Sequence, residues 1–137
     1  MVKLALHAAA VLLPLLLLQG VLTENLNLSP IEVVVENSLL GAAPLTYSTH
    51  VAYRGILIGA LRRLMESNAG FTFTSTEHPD YGAYLESVNG LAGSDEDRTY
   101  WELLVRTPDG KIIRPDVGIG CYIPREKERI ILRLSRW

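Results

Sequence analysis

Cysteine occurs once in these 137 residues, at Cys121. One thiol closes no disulfide within the sequence, so packing must supply the stability that small secreted domains often take from cross-links. Free cysteine is among the most buried residue types, and Cys121 is expected to be buried. Charge of one sign is missing too. Thirteen Lys and Arg face fifteen Asp and Glu, with no basic block, which excludes nucleic acid as the expected partner. The acidic cluster Ser94–Arg98 ("SDEDR") lacks the turn glycine and distal Glu of a calcium loop, so it reads as a solvated loop. His50 and His78 have no matching nucleophile pattern, and Cys121 sits in none of the cysteine-protease signatures, so no enzyme is expected. Internal repeats are absent, and the one long apolar run lies at the N-terminus.

That run has the layout of a secretory signal peptide. Lys3 gives a positive start, Leu4 to Leu18 are apolar, and Gln19, Gly20 and Thr23 follow. Pro14 interrupts it, and it falls short of the ~20 apolar residues that span a bilayer. Residues 1–23 are therefore expected to be removed, leaving a secreted domain over 24–137 with no membrane span. The remaining roughly 114 residues suit one domain. "NLS" at Asn27 is a glycosylation sequon followed at once by Pro30, and its occupancy stays open.

The β-branched stretch Pro30–Leu39 reads as a strand, broken by "LGAAPL", and Leu45–Tyr53 as a second. The period then changes: Leu57, Ala60, Leu61, Leu64 and Met65 recur at three- and four-residue steps, predicting an amphipathic helix within Arg54–Gly70. Its apolar stripe is core. "FTFTST" (Phe71–Thr76) alternates with period two, "EHPDYG" is a loop, and Ala83–Val88 is a strand before the turn "NGLAG". Thr99–Arg106 is a further strand, "TPDG" has hairpin-turn chemistry, "KII" returns, and Glu128–Trp137 closes the chain as a strand. The expected fold is α+β: a mostly antiparallel sheet packed around one amphipathic helix in a single domain.

Several motifs recur together here in a fixed order. They are Gly82, Leu85, Ser87-Val88-Asn89-Gly90, Thr99-Tyr100-Trp101, Leu103-Leu104, Thr107-Pro108 and Gly118-Ile119-Gly120-Cys121-Tyr122-Ile123-Pro124. In this order the chain resembles the C-terminal β-domain of the cobalamin carriers, the intrinsic factor and transcobalamin family, over essentially all of 24–137. Three departures stand out. The carriers' large helical domain has no counterpart in these residues, "DGKIIRPD" lengthens a loop, and Cys121 replaces an acidic residue.

The resemblance implies a secreted cobalamin (vitamin B12)-binding or transport-related protein that supplies one face of a corrinoid site. Two segments should face the ligand: Asp80, Tyr81, Gly82, Ala83, Tyr84 and Leu85, then Trp101, Leu103, Thr107 and Pro108. Neighbours in a strand point to opposite faces, so Tyr100 and Trp101 divide between core and surface. Trp101 is expected outward at the ligand and Tyr100 inward. Leu103 and Leu104 likewise alternate, Tyr81 and Tyr84 read equally as sheet-surface aromatics, and Tyr122 and Pro124 read as structural. In the family a cobalt-ligating histidine comes from the helical domain, so His78 is read as a plain loop residue and no metal site is assigned. A lone β-domain covers one face of the corrin, whereas good small-molecule sites bury ~70–90% of the ligand. Weak binding alone is therefore expected, with a helical carrier domain or a receptor in trans as partner. The alternative, from another class, is a secreted protein-interaction domain that kept the fold and lost cobalamin. An exposed concave apolar patch beside Asp80–Leu85 favours the first, a filled polar surface the second.

Overall fold

The computed structural model describes residues 27–80 and 82–137. The expected signal segment and Tyr81 lie outside the described residues. The chain runs β1 (Leu28–Glu36), β2 (Leu45–Ala52), α1 (Leu57–Ser67), β3 (Phe73–His78), β4 (Gly82–Val88), β5 (Leu91–Ala92), β6 (Thr99–Arg106), β7 (Ile112–Ile113) and β8 (Arg129–Arg136), with a short 3-10 turn at Ser38–Leu40. Five strands form one sheet in the order β2-β1-β8-β6-β7, and β3-β4-β5 form a second. All pairs are antiparallel except β1 with β8, which run parallel at the centre of the larger sheet. The α+β architecture expected from the sequence is the one observed.

Period-two alternation explains the core. Ile31, Val33 and Val35 from β1, Trp101 and Val105 from β6, and Ile130, Leu132 and Leu134 from β8 all point to the inner face. There they meet Leu57, Ala60, Leu61 and Leu64 of α1, and Phe71, Phe73, Leu85 and Val88 from the second-sheet region. Val34, Leu104 and Ile131 form a smaller cluster on the outer face. The helix contains every residue of the periodic stripe and occupies the middle of the Arg54–Gly70 window. Arg54 adopts φ +56° and Gly55 N–H closes a tight turn onto the Ala52 carbonyl, so helical geometry begins only at Leu57. No side chain caps the start of α1. Instead Leu57 N–H donates to the Tyr122 carbonyl at 2.8 Å, and Ile58 N–H to the Ile119 carbonyl at 2.9 Å. A distant loop thus satisfies amides that a helix start leaves open.

Two turns follow their sequences closely. Asn89 (φ +51°) and Gly90 (φ +81°) form the two-residue link from β4 to β5, with both central residues left-handed as that hairpin requires. "NGLAG" is therefore not all turn, since Leu91 and Ala92 pair back onto β4. In "TPDG", Gly110 (φ +87°) ends a turn closed by Thr107 N–H to the Lys111 carbonyl. Cys121 corrects an expectation: it is exposed, because in the loop Gly118–Tyr122 it is Ile119 that is buried in the core and the thiol is left at the surface.

Candidate functional site

The seam between the two sheets, where β4 passes β6, holds most of the residues singled out above. β4 gets its geometry from one irregularity. Thr74 pairs with Ser87 and Ser75 with Leu85, so Glu86 is an extra residue, a β-bulge. The bulge lets Leu85 and Val88, three apart, both face the core, and it leaves Tyr84 and Glu86 outward. Tyr84 is 44% exposed and meets His78 edge-on, with ring centroids 6.5 Å apart. The Thr76 hydroxyl donates to Glu86 Oε2 at 2.9 Å.

Beside β4 runs the loop Gly118–Tyr122. Gly120 N–H donates to the Ala83 carbonyl at 3.0 Å. A Cβ on Gly120 would stand 2.6 Å from the Ala83 nitrogen, and one on Gly118 would stand 2.7 Å from the Ala83 carbonyl oxygen. Only glycine permits this approach. Tyr122, in the same loop, donates its hydroxyl to Glu128 Oε1 at 2.7 Å, and Glu128 also accepts from Arg125 N–H. Burial and then the Glu128 carboxylate push the Tyr122 hydroxyl well above the usual tyrosine range. Tyr122 and the buried Pro124 are structural, as expected.

Two adjoining hollows open on the seam and share Tyr84, Leu85, Tyr100 and Trp101. The larger, about 440 Å³, is completed by Thr76, Glu86, Gly93, Asp95, Thr99 and Trp137. The smaller, about 200 Å³, is completed by residues that include Leu103, Arg114, Pro115, Val117 and Ile119. Together they make a shallow trough with aromatic walls. A separate hollow of about 340 Å³ around Pro30, Ser48 and Arg129 contains none of the expected site residues.

The Tyr100–Trp101 pair is the reverse of what was expected. Trp101 is only 7% exposed; it packs in the core, and its indole N–H donates to the Leu91 carbonyl at 2.8 Å. Its ring contributes to the floor of the trough, not to an outward platform. The cause is register: Trp101 pairs with Leu134 and shares its face with Val105, the side that the helix and second sheet cover. Tyr100 instead lies on the outer side against Trp137, ring centroids 6.2 Å apart, and donates its hydroxyl to Glu102. Burial, then that hydrogen bond, raises its hydroxyl above the ordinary value. Glu102 is itself buried, accepting from Ser135 and ion-paired with Arg114.

Of the expected site residues, Tyr84, Leu85, Trp101 and Leu103 line the trough. Gly82 and Ala83 are not among the lining residues: Gly82 takes φ +73°, with a Cβ there meeting Cys121 Sγ, and Ala83 is buried against Gly118 and Gly120. Asp80 lies in the β3–β4 turn, its N–H bonded to His78 Nδ1, and is not among the lining residues. Thr107 and Pro108 lie in the β6–β7 turn, outside both linings. Trp137, Thr76, Glu86, Asp95 and Arg114 were not anticipated. Contacts between distant segments bring them in, as when Trp137 N–H bonds the Arg98 carbonyl and its ring lies beside Tyr100. Among the described residues no three His, Cys, Asp or Glu side chains gather as metal ligands, and no helix is long and apolar enough to cross a membrane. Aromatic faces, hydroxyls and carboxylates suit stacking and amide hydrogen bonding.

No family model matches the chain. It is 37% identical over 89 residues to transcobalamin-2 of Mus musculus, covering 65% of this chain and 19% of that protein. It is 28% identical over 94 residues to transcobalamin-1 of Homo sapiens, covering 67% and 21%. Among solved structures, haptocorrin in complex with Cbi superposes with a TM-score of 0.68 at 22% identity, over 80% of this chain and 25% of that one. A Ruminococcus gnavus protein superposes at 0.51 with 14% identity, over 80% of this chain and 98% of that one. At such identities these structures establish the fold alone, and the second shows it making up nearly a whole chain. The chain spans about a fifth of the length of the curated relatives it matches.

Proposed function

For a chain that corresponds to a C-terminal domain of the cobalamin carriers, we propose a secreted protein whose trough supplies one face of a corrinoid site. The observation that carries this is the meeting of both hollows at Tyr84, Leu85, Tyr100 and Trp101, on the two strands that carry the family-like motifs. A corrin is a broad disc with a partly apolar face and a rim of amides. The exposed rings of Tyr84 and Trp137 offer apolar surface to the face, and the hydroxyls of Thr76 and Tyr100 offer hydrogen bonds to the rim. Nothing in this role requires proton transfer or a nucleophile.

Such a trough covers one side of a disc and leaves the other in water, so affinity from this chain alone is low. A helical carrier domain in trans would close the second side. Calorimetric titration of residues 24–137 with cobalamin tests this. The expected dissociation constant is about 10 μM or weaker for the chain alone, tightening at least tenfold when a separate helical carrier domain is added. Nanomolar affinity from the isolated chain contradicts the half-site account.

The burial of Trp101 favours a second reading, a secreted protein-interaction domain, because it removes the broadest flat surface expected at the site. Complete absence of corrinoid binding with the helical domain present would select it.

A further inference from the structure

Charge in the trough is one-sided. The larger hollow is lined by two carboxylates and, among the described residues, by neither Lys nor Arg. Glu86 reaches it from β4 because the bulge turns that residue outward. Asp95 reaches it from the β5–β6 connection, so the two acids come from different segments of the chain. Both residues are exposed. Thr76 donates to Glu86 and holds its carboxylate at the wall. Arg114 lines the smaller hollow but is ion-paired with Glu102, and Arg98, in the same connection as Asp95, is not among the lining residues.

We infer that Glu86 and Asp95 make the trough selective for the charge state of its ligand's rim: it accepts neutral primary amides and rejects carboxylates. The inference rests on the corrinoid reading above and adds a specificity to it. An amide N–H donates to a carboxylate oxygen, which is a charge-assisted hydrogen bond. A rim carboxylate at the same place can donate nothing and is repelled at short range. The discrimination is electrostatic and partly solvated, so it is moderate and sensitive to salt, with a screening length of ~10 Å at 0.1 M.

The test compares cobalamin with its monocarboxylates, in which one rim amide is hydrolysed to an acid. Each is titrated into residues 24–137 with the helical carrier domain present, at low and high salt. At least one monocarboxylate is expected to bind about three- to tenfold more weakly than cobalamin at low salt, with the gap narrowing at high salt. Glu86→Gln and Asp95→Asn, both exposed and isosteric, should each shrink the gap from both sides, weakening cobalamin through loss of the charge-assisted bond and easing the repulsion of the monocarboxylate. Equal binding of all acid and amide forms, or a gap indifferent to both substitutions, overturns the charge selectivity and leaves the corrinoid reading standing. Binding of neither form overturns both.

Discussion

The outer face of the five-stranded sheet and the seam between the sheets are built from the same strands, yet they end in opposite states. On the outer face, Glu32 lies directly across from Arg129 and Glu36 across from Arg133, with ion pairs of 2.9 and 2.6 Å. Each of these charges meets a partner of opposite sign. At the seam, by contrast, the bulge turns Glu86 outward, and ring faces and carboxylates line a hollow. Reciprocal pairing satisfies the charges of the outer face, whereas the rings and carboxylates of the seam are the groups that the proposed corrinoid would meet.

The largest effect expected from this contrast is at the floor of the seam. Trp101→Ala should cost about 3–5 kcal/mol of stability in urea unfolding, as for a large core aromatic. A loss below ~1 kcal/mol would mean that the indole is not core. Next comes Gly120→Ala, which should cost about 1–3 kcal/mol because its Cβ would press on the Ala83 backbone, which cannot give way as a flexible side chain can. An unchanged midpoint would show that the loop is not stitched to β4 as described.

Tyr122 gives a pH signature. Its folded hydroxyl ionises above the ordinary value of 10.0, so its contribution is fully present below about pH 10 and is lost as pH rises through the folded value. Alkaline absorbance titration should show Tyr100 and Tyr122 ionising late, Tyr122 last, and Tyr122→Phe should remove that last step at a cost of about 1.5–3 kcal/mol. The smallest effect is on the outer face. Glu32→Gln should change stability by under about 1 kcal/mol, since its ion pair with Arg129 is nearly half exposed on both sides. A larger loss there would erase the contrast between the two regions.

Much of the fold was legible because alternation and turn chemistry are local. Thr99–Arg106 matches its strand residue for residue, and Asn89-Gly90 adopts the turn its dipeptide calls for. The helix ends were less legible, since Arg54 breaks the helix by adopting a positive φ that no local pattern announces. The orientation of the Tyr100–Trp101 pair was not legible at all. Alternation says that the two side chains part, but which one goes inward depends on β8 and on what covers the sheet. The same limit hid Glu86, because a bulge is visible only once β3 is paired with β4. Trp137 and Asp95 join the trough through contacts between distant segments, and Cys121 is exposed because its loop buries Ile119 instead.

The receptive seam is tested most directly by a 1H–15N spectrum of residues 24–137 during titration with cobalamin. The chain has two tryptophans, so two indole signals report from the trough, Trp101 at its floor and Trp137 at its wall. The expected result is saturable shifts at Trp137, Tyr84 and Thr99, with little change at His50 and Arg129 on the outer face, and loss of those shifts in Tyr84→Ala. Shifts centred on the outer face, or shifts that survive Tyr84→Ala unchanged, would contradict a corrinoid site at the seam.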